Sequence, residues 1–222
     1  MTPWHAWTSA IAALPNPRRI ARYAVGFGAS RSRRQPHQAI MRLLGRTPSV
    51  IALLVYTALM TPAAALAFSL SSSAFAAGQS IPSVHTCEGD DVSPPLAWTA
   101  PPPGTRSLAL IVDDPDAPDP AAPRMVFAHW VLYGLPPVSG ALAQGVPASA
   151  LPAGTRQGTN DFRRAGYGGP CPPIGRHRYV FKLFALDVVL PDLGAATKAE
   201  LERAMQGHVL ATAELIGTYQ KR

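Results

Sequence analysis

Apolar positions gather into three runs after residue 100, Leu108 to Val112, Val126 to Leu135 and Tyr179 to Leu186. Each is rich in β-branched or aromatic residues and bounded by Pro, Gly or Asp, the pattern of a strand. Because side chains alternate across a strand, Phe127, His129, Val131 and Tyr133 are expected to share one face of the second run. Pro94-Pro95 and Pro101-Pro102-Pro103 cannot sit inside a central strand and mark loops or edges. One later segment has a helical period. Thr197-Lys198-Ala199-Glu200 reads as a capping box, in which the Thr hydroxyl accepts the amide of Glu200 while the Glu carboxylate reaches back. Leu201, Ala204, Met205 and His208 follow at helical spacing. No internal repeat is visible, so the pattern predicts a mainly β domain over residues 68–222, with a few short helices and a C-terminal helix.

The stretch Ser49 to Phe68 breaks this pattern. It runs SVIALLVYTALMTPAAALAF without a charge, follows Arg42 and Arg46, and ends in Ala65-Leu66-Ala67, a small-x-small cleavage pattern. Basic, apolar and small-residue regions in that order read as an export signal, residues 41–67 if translation starts at Met41. An uncleaved membrane anchor is the alternative, since about twenty apolar residues span a bilayer. Residues 1–40, rich in Arg, Pro and Trp, then form a basic extension, disordered or never translated. The expected location is periplasmic or secreted, and membrane-anchored if the signal is retained.

The 222 residues carry a formal charge of +7, which on its face suggests an acidic partner. Its distribution overturns that. Residues 1–67 hold eight arginines and no Asp, Glu or Lys, whereas residues 68–222 come to −1. No basic stripe survives in the folded part to track phosphates, and nucleic acid is excluded as a partner. Two cysteines, Cys87 and Cys171, are too few for a disulfide scaffold and wrongly spaced for a zinc or redox motif. In an oxidising compartment they form a plausible bridge, and two separate thiols remain the alternative.

Templates for common chemistries are missing: there is no Gly-x-Ser-x-Gly elbow, Walker loop, His-Glu-x-x-His or dinucleotide glycine fingerprint. The acidic segment at 113–119 is stiffened by Pro118 and lacks the closing glutamate of a calcium loop. Three segments beside strands have unusual polar content. Asp113-Asp114-Pro115-Asp116-Ala117-Pro118 ends the first apolar run, and its prolines hold both flanking carboxylates in extended geometry. His129 sits within an apolar strand. A Gly- and Pro-rich loop from Gly166 runs into a strand headed by His177, Arg178 and Tyr179, where backbone amides and side-chain donors can approach an anion.

The combination DPDAP (114–118), HW (129–130) and GPCPP-x-x-x-HRY-x-F (169–181) resembles the phosphatidylethanolamine-binding protein family, also called Raf kinase inhibitor-like proteins, in its bacterial branch. TCEGDDVSPPLAW (86–98) and GTNDF (158–162) extend the resemblance over nearly all of 68–222. It implies a compact β fold with a small surface pocket for phosphate-like anions or phospholipid headgroups. On that analogy Asp114, Asp116 and Pro118 shape one wall, His129 faces the pocket, and Pro172, His177 and Tyr179 close the other side. Eukaryotic members often carry an aromatic residue and a second histidine just before the pocket histidine. Phe127 and Ala128 stand there in this chain.

In such a site histidine donors and backbone amides would hold the anion. The carboxylates of Asp114 and Asp116 would orient the imidazoles or face a cation such as an ethanolamine ammonium. The expected function is capture of a small ligand without catalysis, cofactor or metal. A protein-interaction role, inhibiting a kinase or protease, is the alternative, and a homodimer is allowed. On this reading His129→Ala or His177→Ala should weaken phosphoanion binding and leave the melting temperature nearly unchanged.

Overall fold

The computed structural model describes residues 67–222. The basic extension and all but the last residue of the expected signal lie outside the described residues. Two sheets make up the fold. The smaller contains β1 (Leu70–Ser71), β2 (Leu96–Trp98) and β5 (Gly140–Leu142), in the order β1-β2-β5. The larger has the order β6-β4-β3-β7-β8, from β3 (Ser107–Asp114), β4 (Phe127–Leu135), β6 (Arg156–Gln157), β7 (Arg176–Leu186) and β8 (Val209–Gln220), with every neighbouring pair antiparallel.

The main core lies between the sheets. Leu70, Leu96, Trp98 and Leu142 of the small sheet meet Leu110, Val112, Leu132, Phe181, Leu183 and Leu215 of the large one. On the opposite face, Ala109, Ile111, Val131 and Tyr133 pack against Leu201 and Met205 of the helix α1 (Lys198–Met205). The large sheet is therefore covered on both sides, and all eight residues of β3 are buried. This explains the unbroken apolar run of that strand, since a strand buried on both faces has no polar face to alternate with.

The capping box of α1 is formed as its sequence predicts: Thr197 Oγ1 accepts from the Glu200 amide, and the Glu200 carboxylate accepts from the Thr197 amide. The helix is not C-terminal, however. It stops at Met205, and β8, twelve residues long, follows it and pairs with β7 along its whole length. The polar positions Thr212, Glu214 and Thr218 in β8 alternate with buried Ala213, Leu215 and Tyr219. That period of two marks a strand with one covered face.

A second correction concerns β4. Between Val112 and Asp113 the register shifts, so that Val112 faces Trp130, Asp113 faces Ala128, and His129 is the extra residue of a β-bulge. A bulge interrupts the alternation of side chains. Phe127 and His129 consequently turn toward the inter-sheet side, whereas Val131 and Tyr133 pack on the α1 side. The four residues do not share a face. Gly134 is the extra residue of a second irregularity, held at φ +74° with its Cα against the Gly154 carbonyl, a conformation and a space that only glycine accepts without strain.

Candidate functional site

At one end of the inter-sheet core the strands stop short of closing, leaving a cavity of about 250 Å³. Asp114 of β3, Phe127 and His129 of β4, and His177 and Tyr179 of β7 line it from the sheet. Loops complete it: Ala117-Pro118 and Met125 on one side, Phe162 on another, and Cys171-Pro172-Pro173 across the mouth. Strand alternation places His177 and Tyr179 on the side that also carries Phe181 and Leu183. For His129 the bulge does the same. A larger and more open hollow of about 470 Å³ near Ser80, Arg176 and Lys221 contains none of the motif residues apart from the strand's first arginine.

His177 and Asp114 form a buried pair. His177 Nδ1 lies 2.6 Å from Asp114 Oδ2 and Nε2 lies 2.9 Å from the Ile174 carbonyl oxygen. Both ring nitrogens thus face acceptors within the protein. Asp114 uses its other oxygen to accept the Asp116 amide at 2.8 Å. The carboxylate orients the imidazole, whose two nitrogens are both engaged within the protein, while each Asp114 oxygen keeps a further lone pair.

His129 differs. It is 3 % exposed, and its one hydrogen bond runs from Nδ1 to the Gly168 carbonyl oxygen at 2.6 Å. Burial holds its pKa below the ordinary histidine range, against the opposing pull of Gly168 and of the carboxylates of Asp114, Asp113 and Asp161. A neutral ring donating from Nδ1 carries its lone pair on Nε2. The ring packs edge-on against Tyr179 at 5.1 Å and Phe162 at 5.4 Å between centroids. Tyr179 is buried, its hydroxyl has no hydrogen-bond partner among the described residues, and burial pushes its pKa above the usual phenol range. A buried unpaired hydroxyl costs about 1–3 kcal/mol.

The profile of the phosphatidylethanolamine-binding protein family matches residues 71–220. The chain belongs to that family. Among curated relatives, a UPF0098 protein of Methanothermobacter thermautotrophicus is 51 % identical over 142 residues, covering 64 % of this chain and 91 % of the relative. Another from Chlamydia trachomatis is 45 % identical over 152 residues, covering 68 % and 98 %. A crystal structure of a phosphatidylethanolamine-binding protein homologue from C. trachomatis superposes with a TM-score of 0.64 at 44 % identity, covering 70 % of this chain and 98 % of that one. YbcL of E. coli, described as a new member of the mammalian PEBP family, gives a TM-score of 0.63 at 33 % identity, covering 70 % of this chain and 99 % of that one.

Within this phosphatidylethanolamine-binding protein fold, six of the seven expected site residues meet at one cavity: Asp114, Pro118, His129, Pro172, His177 and Tyr179. Asp116 does not. Its carboxylate accepts from the Arg178 amide at 2.8 Å, from Nε at 2.9 Å and from a terminal guanidinium nitrogen at 2.6 Å. Those bonds hold its pKa below the usual carboxylate range. Asp116 therefore clamps the DPDAP loop to β7 and faces no cation in the cavity. His177 also departs from its expected part as a ligand donor, since both of its nitrogens are used within the protein.

Cys87 and Cys171 are bonded, with Cα atoms 5.4 Å apart. The bridge anchors the segment 168–175, which supplies both carbonyls that hold the histidines, Gly168 to His129 and Ile174 to His177. The Cys87 amide donates to the Pro170 carbonyl, and the Gly169 amide to Asp91, fixing the same segment from the other side.

Sequence reasoning missed the apolar lining, Met125, Phe127, Phe162 and Pro173. Phe162 lies within the GTNDF motif, and nothing in its spacing reveals that the motif folds over the cavity. Phe127 stacks edge-on with Phe162 at 4.8 Å. A Cβ added to Gly168 would lie 2.5 Å from the Phe162 ring, so glycine there lets the aromatic wall stand. Among the described residues no group of three or more His, Cys, Asp or Glu is arranged to hold a metal ion.

Proposed function

We propose that the domain is an exported, non-enzymatic binding protein that captures a small phosphate-containing anion or a phospholipid headgroup in this cavity. One observation carries the reading: His129 and Tyr179 line one small cavity, and among the described residues neither His129 Nε2 nor the Tyr179 hydroxyl has a hydrogen-bond partner. Enclosed, largely apolar pockets with a few convergent polar atoms are the usual form of a ligand site. The volume suits a headgroup rather than a whole lipid. Export is supported by the Cys87–Cys171 bridge, because such bonds persist in oxidising compartments, and by the sequence of residues 41–67.

Calorimetric titration with O-phosphoethanolamine tests the proposal. Saturable binding to the wild type that is lost in a folded His129→Ala variant is the expected result, and no heat with the wild type would overturn it. Inhibition of a kinase or protease is a second reading, favoured by the exposed apolar side chains Met125, Phe162 and Ile174 around the mouth. A stoichiometric protein partner displaced by phosphate would support that reading.

A further inference from the structure

Among the described residues, the exposed large apolar side chains divide between the two ends of the large sheet. Met125, Val126, Phe162 and Ile174 stand around the cavity mouth, beyond the Asp114 end of β3. Val138, Val189, Val209 and Leu210 stand at the opposite end. Val138 follows β4, whose last residue, Leu135, pairs with Leu108 near the start of β3. Val189 follows β7, whose last residue, Leu186, pairs with Ser107 and with Val209. A ligand cavity accounts for the first set. It does not account for the second.

The chain enters the domain at that second end. The Ala67 carbonyl accepts from Thr99 Oγ1 at 2.9 Å, the Ser69 amide donates to the same oxygen at 2.9 Å, and Phe68 packs against the main core. Thr99 follows Trp98, whose indole donates to the Val138 carbonyl. The loop from Thr99 to β3 then brings Gly104 against Leu210, where an added Cβ would lie 3.7 Å from Cδ1. The uncharged run at 49–68 therefore leads into the fold without a spacer, because its last residue is already packed there. With that run kept in a bilayer, the entry end of the domain has to lie at the membrane surface. The mouth is then a strand's length away, roughly 25 Å for the eight residues of β3. Four exposed aliphatic side chains bury too little area to hold a protein on a membrane by themselves. A covalent tether makes the contact intramolecular and removes that difficulty.

We propose that residues 49–67 are retained as a membrane anchor and that the entry end of the domain rests in the headgroup region of the same bilayer through Val138, Val189, Val209 and Leu210. Arg106, exposed at this end, adds a cation suited to lipid phosphates. The cavity mouth opens away from the host membrane, so its guest arrives from the aqueous side and is not drawn from that bilayer. This placement does not depend on the chemistry of the guest, and its failure would leave the ligand reading above as it stands.

The test uses the full chain in vesicles of phosphatidylcholine and phosphatidylglycerol, with a nitroxide on a cysteine introduced singly as Val138→Cys, Leu210→Cys or Ile174→Cys. All three positions are exposed, and intact mass verifies one label per chain and an unbroken Cys87–Cys171 bridge. At positions 138 and 210 the label should be several-fold less accessible to a water-soluble nickel chelate than at position 174, and more accessible to oxygen, as lipid contact requires. A lipid signature at position 174, or chelate access at all three positions, would overturn the placement. Loss of both oxygen and chelate access at positions 138 and 210 would mark a protein contact, such as a second copy, and would overturn it too. Protein recovered from the membranes of the expressing cell should retain residues ahead of Phe68 by mass spectrometry. Recovery solely of a chain beginning at Phe68 would refute the anchor and leave export intact.

Discussion

Two histidines that look alike in the sequence have opposite physical situations. His177 is fully buried, with both ring nitrogens hydrogen-bonded inside the protein. Removing the imidazole leaves the Asp114 carboxylate and the Ile174 carbonyl each short of a buried hydrogen bond, at a cost of about 1–3 kcal/mol apiece. Urea unfolding should therefore show His177→Ala to be destabilised by that order, in contrast to the unchanged melting temperature expected from sequence. A variant within about 1 kcal/mol of wild type would mean that the pair is not a structural unit. His129 is buried as a neutral ring, so the unfolded chain binds a proton more readily than the folded one. Stability from this group is fully present above about pH 6.5, its unfolded pKa, and is lost as pH falls below that value. Denaturant midpoints should decline from pH 7 to pH 5 in the wild type and decline less in His129→Gln. Identical slopes would show that His129 is not the group responsible.

At the scale of elements, the segment 168–175 matters more than any strand. It has little regular structure, yet it carries the carbonyls that fix both histidines and contributes Cys171-Pro172-Pro173 to the cavity wall. What holds it is a covalent bond to Cys87 across a separation of 84 residues. Closing a loop of that size restricts the unfolded chain by about 4–5 kcal/mol in the chain-entropy account. Reduction with a phosphine should lower the unfolding free energy by a few kcal/mol. Amide exchange should rise first at Gly168 and Gly169, whose amides donate to the His129 carbonyl and to Asp91. If exchange rises uniformly, the bridge stabilises the domain as a whole and does not hold this segment in particular. The bulge in β4 is the other decisive element. Without the extra residue, His129 and Trp130 would fall on opposite faces, and the cavity would lose its acceptor or the core its indole.

Over the whole molecule, the large sheet separates two tasks. One face, with the small sheet, forms the main core and ends in the cavity, and the other face is sealed by α1. Both clusters are built from residues 70–219, so a chain starting at Phe68 should unfold in one cooperative transition. Two separated transitions would show that the faces fold independently. The sequence by itself determined the strands with clear period or β-branched content, the capping box of α1, and the family through three ordered motifs. Local patterns report these because they depend on neighbours a few residues apart. Tertiary structure alone decided that β8 pairs with β7, that a bulge turns His129 inward, that Asp116 belongs to Arg178, and that His177 spends both nitrogens inside the protein. Apart from the bond of His177 to Ile174, these are choices of partner across 15 to more than 60 positions of sequence. Hydrogen-bond partners at such separations are set by how sheets and loops pack, and residue type records only that a partner is needed.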